Sequence, residues 1–181
     1  MATPSTQLSR AAEAVKAAGP RLALLYAQTI LALVVLRVQE KGLAGKTYAT
    51  GDYPLFWFKD KQLNARGKTW YENKKKRTKA ERKTDPANWA SFRTYQGLSS
   101  AVVNLTYTGR MFRSLNAIPA GSNGAIYYAA LAAADMESAN KVEWNITRYG
   151  NFLKPTEAEE AEARQAVVDE VNRIVKQVFQ T

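Results

Sequence analysis

Eleven Lys and Arg residues against three acids fall between Lys59 and Lys83, in the run KDKQLNARGKTWYENKKKRTKAERK. The net charge of this segment is +8, nearly all of the chain's +10, so the other 156 residues are close to neutral. Charge concentrated in this way raises the local potential and attracts polyanions, with nucleic-acid phosphates the commonest candidate. The residues that could make such contacts, with DNA or with an acidic protein partner, are Lys59, Lys61, Arg66, Lys68, Lys74, Lys75, Lys76, Arg77, Lys79, Arg82 and Lys83. A solvated loop is the plain alternative for the same run. Aromatics lie in and beside it, among them Phe56, Trp57, Trp70 and Tyr71. Aromatic platforms next to positive charge can stack on the bases of single strands. Burial in a core or at a subunit interface is the commoner role of such side chains.

Little else in the composition offers chemistry. There is no cysteine and no histidine. Disulfides, thiolate metal sites and thiol nucleophiles are therefore excluded, as are the Ser-His-Asp and Cys-His arrangements and the side chain most used for proton transfer near neutral pH. Glu157, Glu159, Glu160 and Glu162 cluster, but acids adjacent on a helix splay around its axis and suit a solvated helix start better than a metal. The expectation is a protein without catalysis, cofactor or metal. The N-terminus lacks a basic start followed by an apolar run and a small-residue cleavage site, so secretion is not expected. The most apolar stretch, Leu22 to Leu36, lies between Arg21 and Arg37 and falls short of the ~20 residues of a membrane span. It reads as a core helix, with no membrane partner.

The elements that must carry these residues follow from periodicity. At 181 residues the chain has the length of one domain. Gln7 to Lys41 is helical in pattern, with a kink or break expected just before Pro20 and a stop at Gly42. Met1 to Thr6 is expected to fray. The apolar face around Leu25, Leu33 and Val34 is broad enough to need cover from several sides, within the domain or from neighbouring copies. Residues 43 to 97 lose periodicity while remaining rich in aromatics, which reads as an extended arm or insertion that gains order on a partner subunit. Within it, Tyr71 to Lys83 is expected to form a short helix, broken before Pro86. From Gly97 the chain reads as a small α+β unit: a strand over Ala101–Tyr107, a turn at Thr108-Gly109, and a short helix over Arg110–Leu115. Strands near Asn116–Ala120 and Ala125–Leu131 follow, joined by Gly121-Ser122-Asn123-Gly124. Helices over Ala133–Tyr149 and from Thr156 to about Val178 complete it, the second opened by a capping box. The fold class expected is α+β: a long N-terminal helix, an extended basic aromatic-rich arm, a small antiparallel sheet with a hairpin, and two C-terminal helices in a single domain.

Two short segments carry a resemblance. Thr108-Gly109-Arg110-Met111-Phe112-Arg113-Ser114-Leu115 is similar to the T-G-x-L-x-x-S-I/L motif of small tail-completion and neck (head-tail connector, virion morphogenesis) proteins of long-tailed bacteriophages. Asn145 to Glu157, NITRYGNFLKPTE, resembles that family's R-x-F-L element before the last helix, through Arg148, Phe152 and Leu153, with Tyr-Gly interposed after the arginine. The order of elements also resembles the family's over most of residues 21 to 181. What the resemblance implies is a structural virion protein, without catalysis or cofactor, whose copies form a ring around the DNA channel in the neck. Its partners would be further copies and the neighbouring portal-side or tail-side proteins. Its place would be the host cytoplasm during assembly and then the virion. The basic run would meet packaged DNA or an acidic neighbouring ring. A free nucleic-acid-binding module using residues 59 to 83 is the alternative.

Overall fold

The computed structural model describes residues 4–48, 51, 54–55, 58, 63–106 and 109–180. Its architecture is α+β, as the sequence pattern predicts, with a long N-terminal helical segment, a two-stranded antiparallel sheet and two long C-terminal helices. By internal contacts the chain forms two compact units, residues 1–37 with 108–181, and residues 38–107.

In the first unit, helices α1 (Pro4–Ala17) and α2 (Gly19–Lys41) are separated at Ala18. Pro20 sits in the first turn of α2, where a missing N–H costs nothing, so the break falls just before it as expected. Pro4 to Thr6 are helical rather than frayed. Gly42, with φ of +71°, ends α2 in the left-handed conformation that glycine adopts without strain. A five-residue helix, α6 (Arg110–Ser114), leads into strand β1 (Leu115–Asn123), which pairs antiparallel with β2 (Ile126–Ala133). A bulge at Ala120 shifts the register between Pro119 and Gly121. The pairing therefore continues through Gly121, Ser122 and Asn123, residues expected to form the loop, and the turn is reduced to Gly124-Ala125. Helix α7 (Met136–Tyr149) opens at Asp135, whose side chain accepts from the Ser138 amide, and closes at Gly150. Helix α8 (Glu157–Phe179) opens on the capping box read from the sequence: Thr156 accepts from the Glu159 amide while the Glu159 side chain accepts from the Thr156 amide.

The core of this unit draws on Ala11, Leu22, Ile30, Val34, Met111, Phe112, Leu115, Phe152, Ala163 and Ile174. Helix α1 packs against α8, and α6 against α7. Arg37 ties α2 to the start of α8: its Nε donates to Glu159 at 2.7 Å and its Nη2 to the carbonyls of Phe152 and Lys154. Arg21 pairs with Glu170 farther along the same two helices.

The second unit contains residues 43–97, the segment expected as an arm. Its described residues include helices α3 (Ala65–Lys75), α4 (Glu81–Thr84) and α5 (Trp89–Tyr95). The single helix expected over Tyr71–Lys83 is instead the end of α3, a turn, and α4. Phe58, Trp70, Ala87 and Phe92 are buried together, with Leu55, Leu63, Tyr71 and Trp89 packed around them. Adjacent rings meet at centroid separations of 5.1–5.4 Å. The strand expected over Ala101–Tyr107 does not form in Ala101–Thr106; Tyr107 lies outside the described residues. Leu105 takes a left-handed φ of +53°, which breaks the extended run. The chain here is held by backbone bonds of Val103 to Leu43 and Lys46 and by one buried side chain. Arg93, 3% exposed, donates to the Ser99 carbonyl at 2.7 Å, the Asn104 side chain at 2.9 Å and the Thr106 carbonyl, while its guanidinium lies 4.4 Å from the Tyr48 ring centre.

Candidate functional site

The basic run divides into cations that build the fold and cations that face water. Asn64 caps α3 by accepting from the Gly67 amide, and Gly67, Trp70 and Lys74 form its inward face at helical spacing. Lys74, expected among the contact residues, is instead buried and serves the fold. Its Nζ pairs with the Asp85 carboxylate and also donates to the Asp85 carbonyl at 3.3 Å. Arg77, half-buried, donates to the Lys74 carbonyl at 3.1 Å. Glu81 accepts from the amide and hydroxyl of Thr78, both at 2.7 Å, and these bonds, the amide's foremost, hold its carboxyl below the usual range. The acids of the turn are thus used to shape it.

The remaining cations are exposed: Arg66 and Lys68 in the first turn of α3, Lys75 at its end, Lys76 and Lys79 in the turn, and Arg82 and Lys83 on α4. Lys75 has a loose contact of 3.8 Å with Glu72. Lys59 and Lys61 lie outside the described residues. Of the aromatics, Trp70 is 1% exposed and Tyr71 half-buried against the same core. Core packing is therefore the role of Trp70, and it presents no face for stacking on a base. Phe56 and Trp57 lie outside the described residues.

The two motif segments come together in the first unit. Gly109 caps α6 with φ of +71°. Arg110 reaches Glu137 at 3.1 Å and Asp135 at 3.6 Å, both at the start of α7. Asp135 is held below the usual carboxylate range chiefly by the Ser138 amide, with Arg110 adding to the effect. The Ser114 hydroxyl donates to the Met111 carbonyl, Leu115 is buried, and Phe112 meets Phe152 edge to face at 6.2 Å. Leu153 is half-buried beside it. Arg148 lies 5.2 Å from the Trp144 ring centre in the last turn of α7. Thr108 lies outside the described residues.

One surface had no counterpart among the residues singled out from the sequence. An open, largely apolar groove of about 1190 Å³ runs between α1, α2, the hairpin and α8, lined by Leu8, Val15, Tyr26, Tyr127, Val168 and Phe179 among others. The breadth of the apolar face on α2 was its sequence signal. Helix α2 spans 23 residues and is long and apolar enough to cross a membrane by length and composition, which corrects the shorter estimate from Leu22–Leu36; only 17% of its most apolar stretch is buried. Arg37 and Arg93 gave no such signal, because their roles depend on backbone carbonyls that no residue spacing marks. Among the described residues no group of three or more acids could hold a metal ion. No family model, curated protein or solved structure matches the chain.

Proposed function

We propose that this chain is a structural virion protein of a tailed bacteriophage that forms part of the neck by assembling as a ring around the DNA channel. The observation that carries the reading is the incompletely covered apolar surface of the first unit: the half-buried apolar side chains of α2, the groove beside it, and Leu36, Ile118, Ile126 and Tyr128, each more than 40% exposed. Apolar surface on this scale marks an interaction site. The hairpin adds to it, since a two-stranded sheet is marginal in water and leaves both outer edges open to further pairing. Heterologous contacts that close give a ring in which each copy covers the next.

The packing of Phe112 on Phe152 supports the resemblance, because two motif segments about forty residues apart in sequence form one contact. The role is non-catalytic: neither histidine nor cysteine is present, and the paired acids of this chain serve caps and ion pairs. Other copies, not lipid, cover α2 in this reading. Electron microscopy of the purified protein tests it. Closed rings with a central opening are expected; dispersed monomers, open filaments or flotation with lipid vesicles would overturn it.

A further inference from the structure

We infer that the outward face of the α3–α4 turn, formed by Lys75, Lys76, Lys79, Arg82 and Lys83, binds the phosphate backbone of a nucleic-acid duplex without reading its sequence. Between Lys74 and Asp85 there are seven basic and two acidic residues, a net charge of +5. Lys74 is neutralised by Asp85, and Glu81 is spent on Thr78. Five exposed cations on nine consecutive residues remain, on a turn fixed in place by these bonds. Their positions are therefore set before any ligand arrives.

Three features choose the partner. Protein interfaces are depleted in lysine and anchored by buried aromatic or aliphatic side chains. The turn offers no such anchor, because Trp70 is enclosed in the core and Ala80 is the only apolar side chain between Lys76 and Lys83. Nucleic-acid interfaces are polar and positive, as this face is. Four of the five cations are lysines, which act as point charges on phosphate, whereas bidentate reading of base edges favours arginine. Finally, single-strand binding draws on aromatic stacking. Among the described residues of α3 and the turn no aromatic face is open, Trp70 being enclosed and Tyr71 half-buried, and a duplex carries the denser line of charge, about one per 1.7 Å of axis.

The inference rests on charge and burial in the second unit and is independent of ring assembly, which is read from the first. The test is fluorescence anisotropy of a short labelled DNA duplex titrated with the full chain across a salt series. If all five cations meet phosphates, log K should fall against log salt with a slope near −4.5, at about −0.9 per contact. The variant K75Q/K76Q/K79Q/R82Q/K83Q, checked for unchanged circular dichroism, should bind at least tenfold more weakly with a flattened slope. Lys16→Gln with Lys176→Gln, exposed cations of the other unit, should leave both unchanged. Wild-type affinity in the five-site variant would overturn the assignment. So would tighter binding of the matching single strand, or equal binding of a polyglutamate peptide, the latter pointing to an acidic protein. Mass measured without DNA reports on the ring separately, so failure of either idea leaves the other standing.

Discussion

At the scale of single residues, the most exacting contacts are those a substitution would leave unpaired. Glu159 serves two masters, the Arg37 guanidinium and the Thr156 amide. Burial pushes its carboxyl up, but these hydrogen bonds outweigh burial and hold it below the ordinary value of 4.5. A carboxylate depressed in the folded state contributes stability that is present above the unfolded pKa and is lost as pH falls through the folded one. Acid unfolding below about pH 4.5 should therefore be less steep in Glu159→Gln than in wild type, from a starting stability lower by about 1–3 kcal/mol. Equal pH slopes in the two proteins would count against this role.

Trp70 gives a second residue-scale prediction. Its ring is enclosed, yet its indole N–H finds no hydrogen-bond partner among the described residues. Trp70→Ala should cost about 3–5 kcal/mol in chemical denaturation, whereas Trp70→Phe should cost well under half of that, because it removes an unsatisfied donor along with the lost volume. Similar losses for the two would show that the N–H is satisfied. The buried guanidinium of Arg93 presents the reverse case. Arg93→Met would strand the carbonyls of Ser99 and Thr106, at a cost of roughly 3 kcal/mol.

Between elements, the hairpin approaches the α1–α2 junction closely. Tyr127 on β2 lies against Gly19, where an added Cβ would come within 2.0 Å of the ring, and its hydroxyl donates to the Lys16 carbonyl. Gly19→Ala should therefore shift the ring and destabilise the first unit by about 1–3 kcal/mol, as overpacking does, although alanine is the better helix former. A thermal midpoint equal to or above wild type would mean that Tyr127 moves aside freely. The elements were legible in the sequence wherever local chemistry decides them: the break before Pro20, the stop at Gly42, the box at Thr156, and the helix closed by Gly150. They were not legible where a distant partner decides. Alternation over Ala101–Thr106 looks like a strand, but Arg93 takes the Asn104 side chain and the Thr106 carbonyl, and Leu105 turns the backbone. Of the expected loop Gly121–Gly124 only Gly124 lies in the turn, because the bulge at Ala120 that lengthens β1 has no local signature. The candidate site followed the same division. The basic run could be seen at once, but burial of Lys74 and Trp70 depends on Asp85 and Phe92, which sequence spacing does not bring to them.

For the whole molecule, the two units divide the properties between them. The second carries a net charge of +8 and its own aromatic core; the first is nearly balanced and carries the open apolar surface. Assembly through apolar surface should persist or strengthen as salt rises, whereas phosphate binding should weaken. The measurement that tests the central claim most directly is therefore light-scattering mass after size-exclusion chromatography at low and high salt, for wild type and for Leu36→Glu on the exposed side of α2. The account predicts a wild-type mass several times that of the 20.1 kDa chain at both salt concentrations, and a folded variant shifted toward the single chain. A wild-type protein that elutes at 20.1 kDa under both conditions would contradict it.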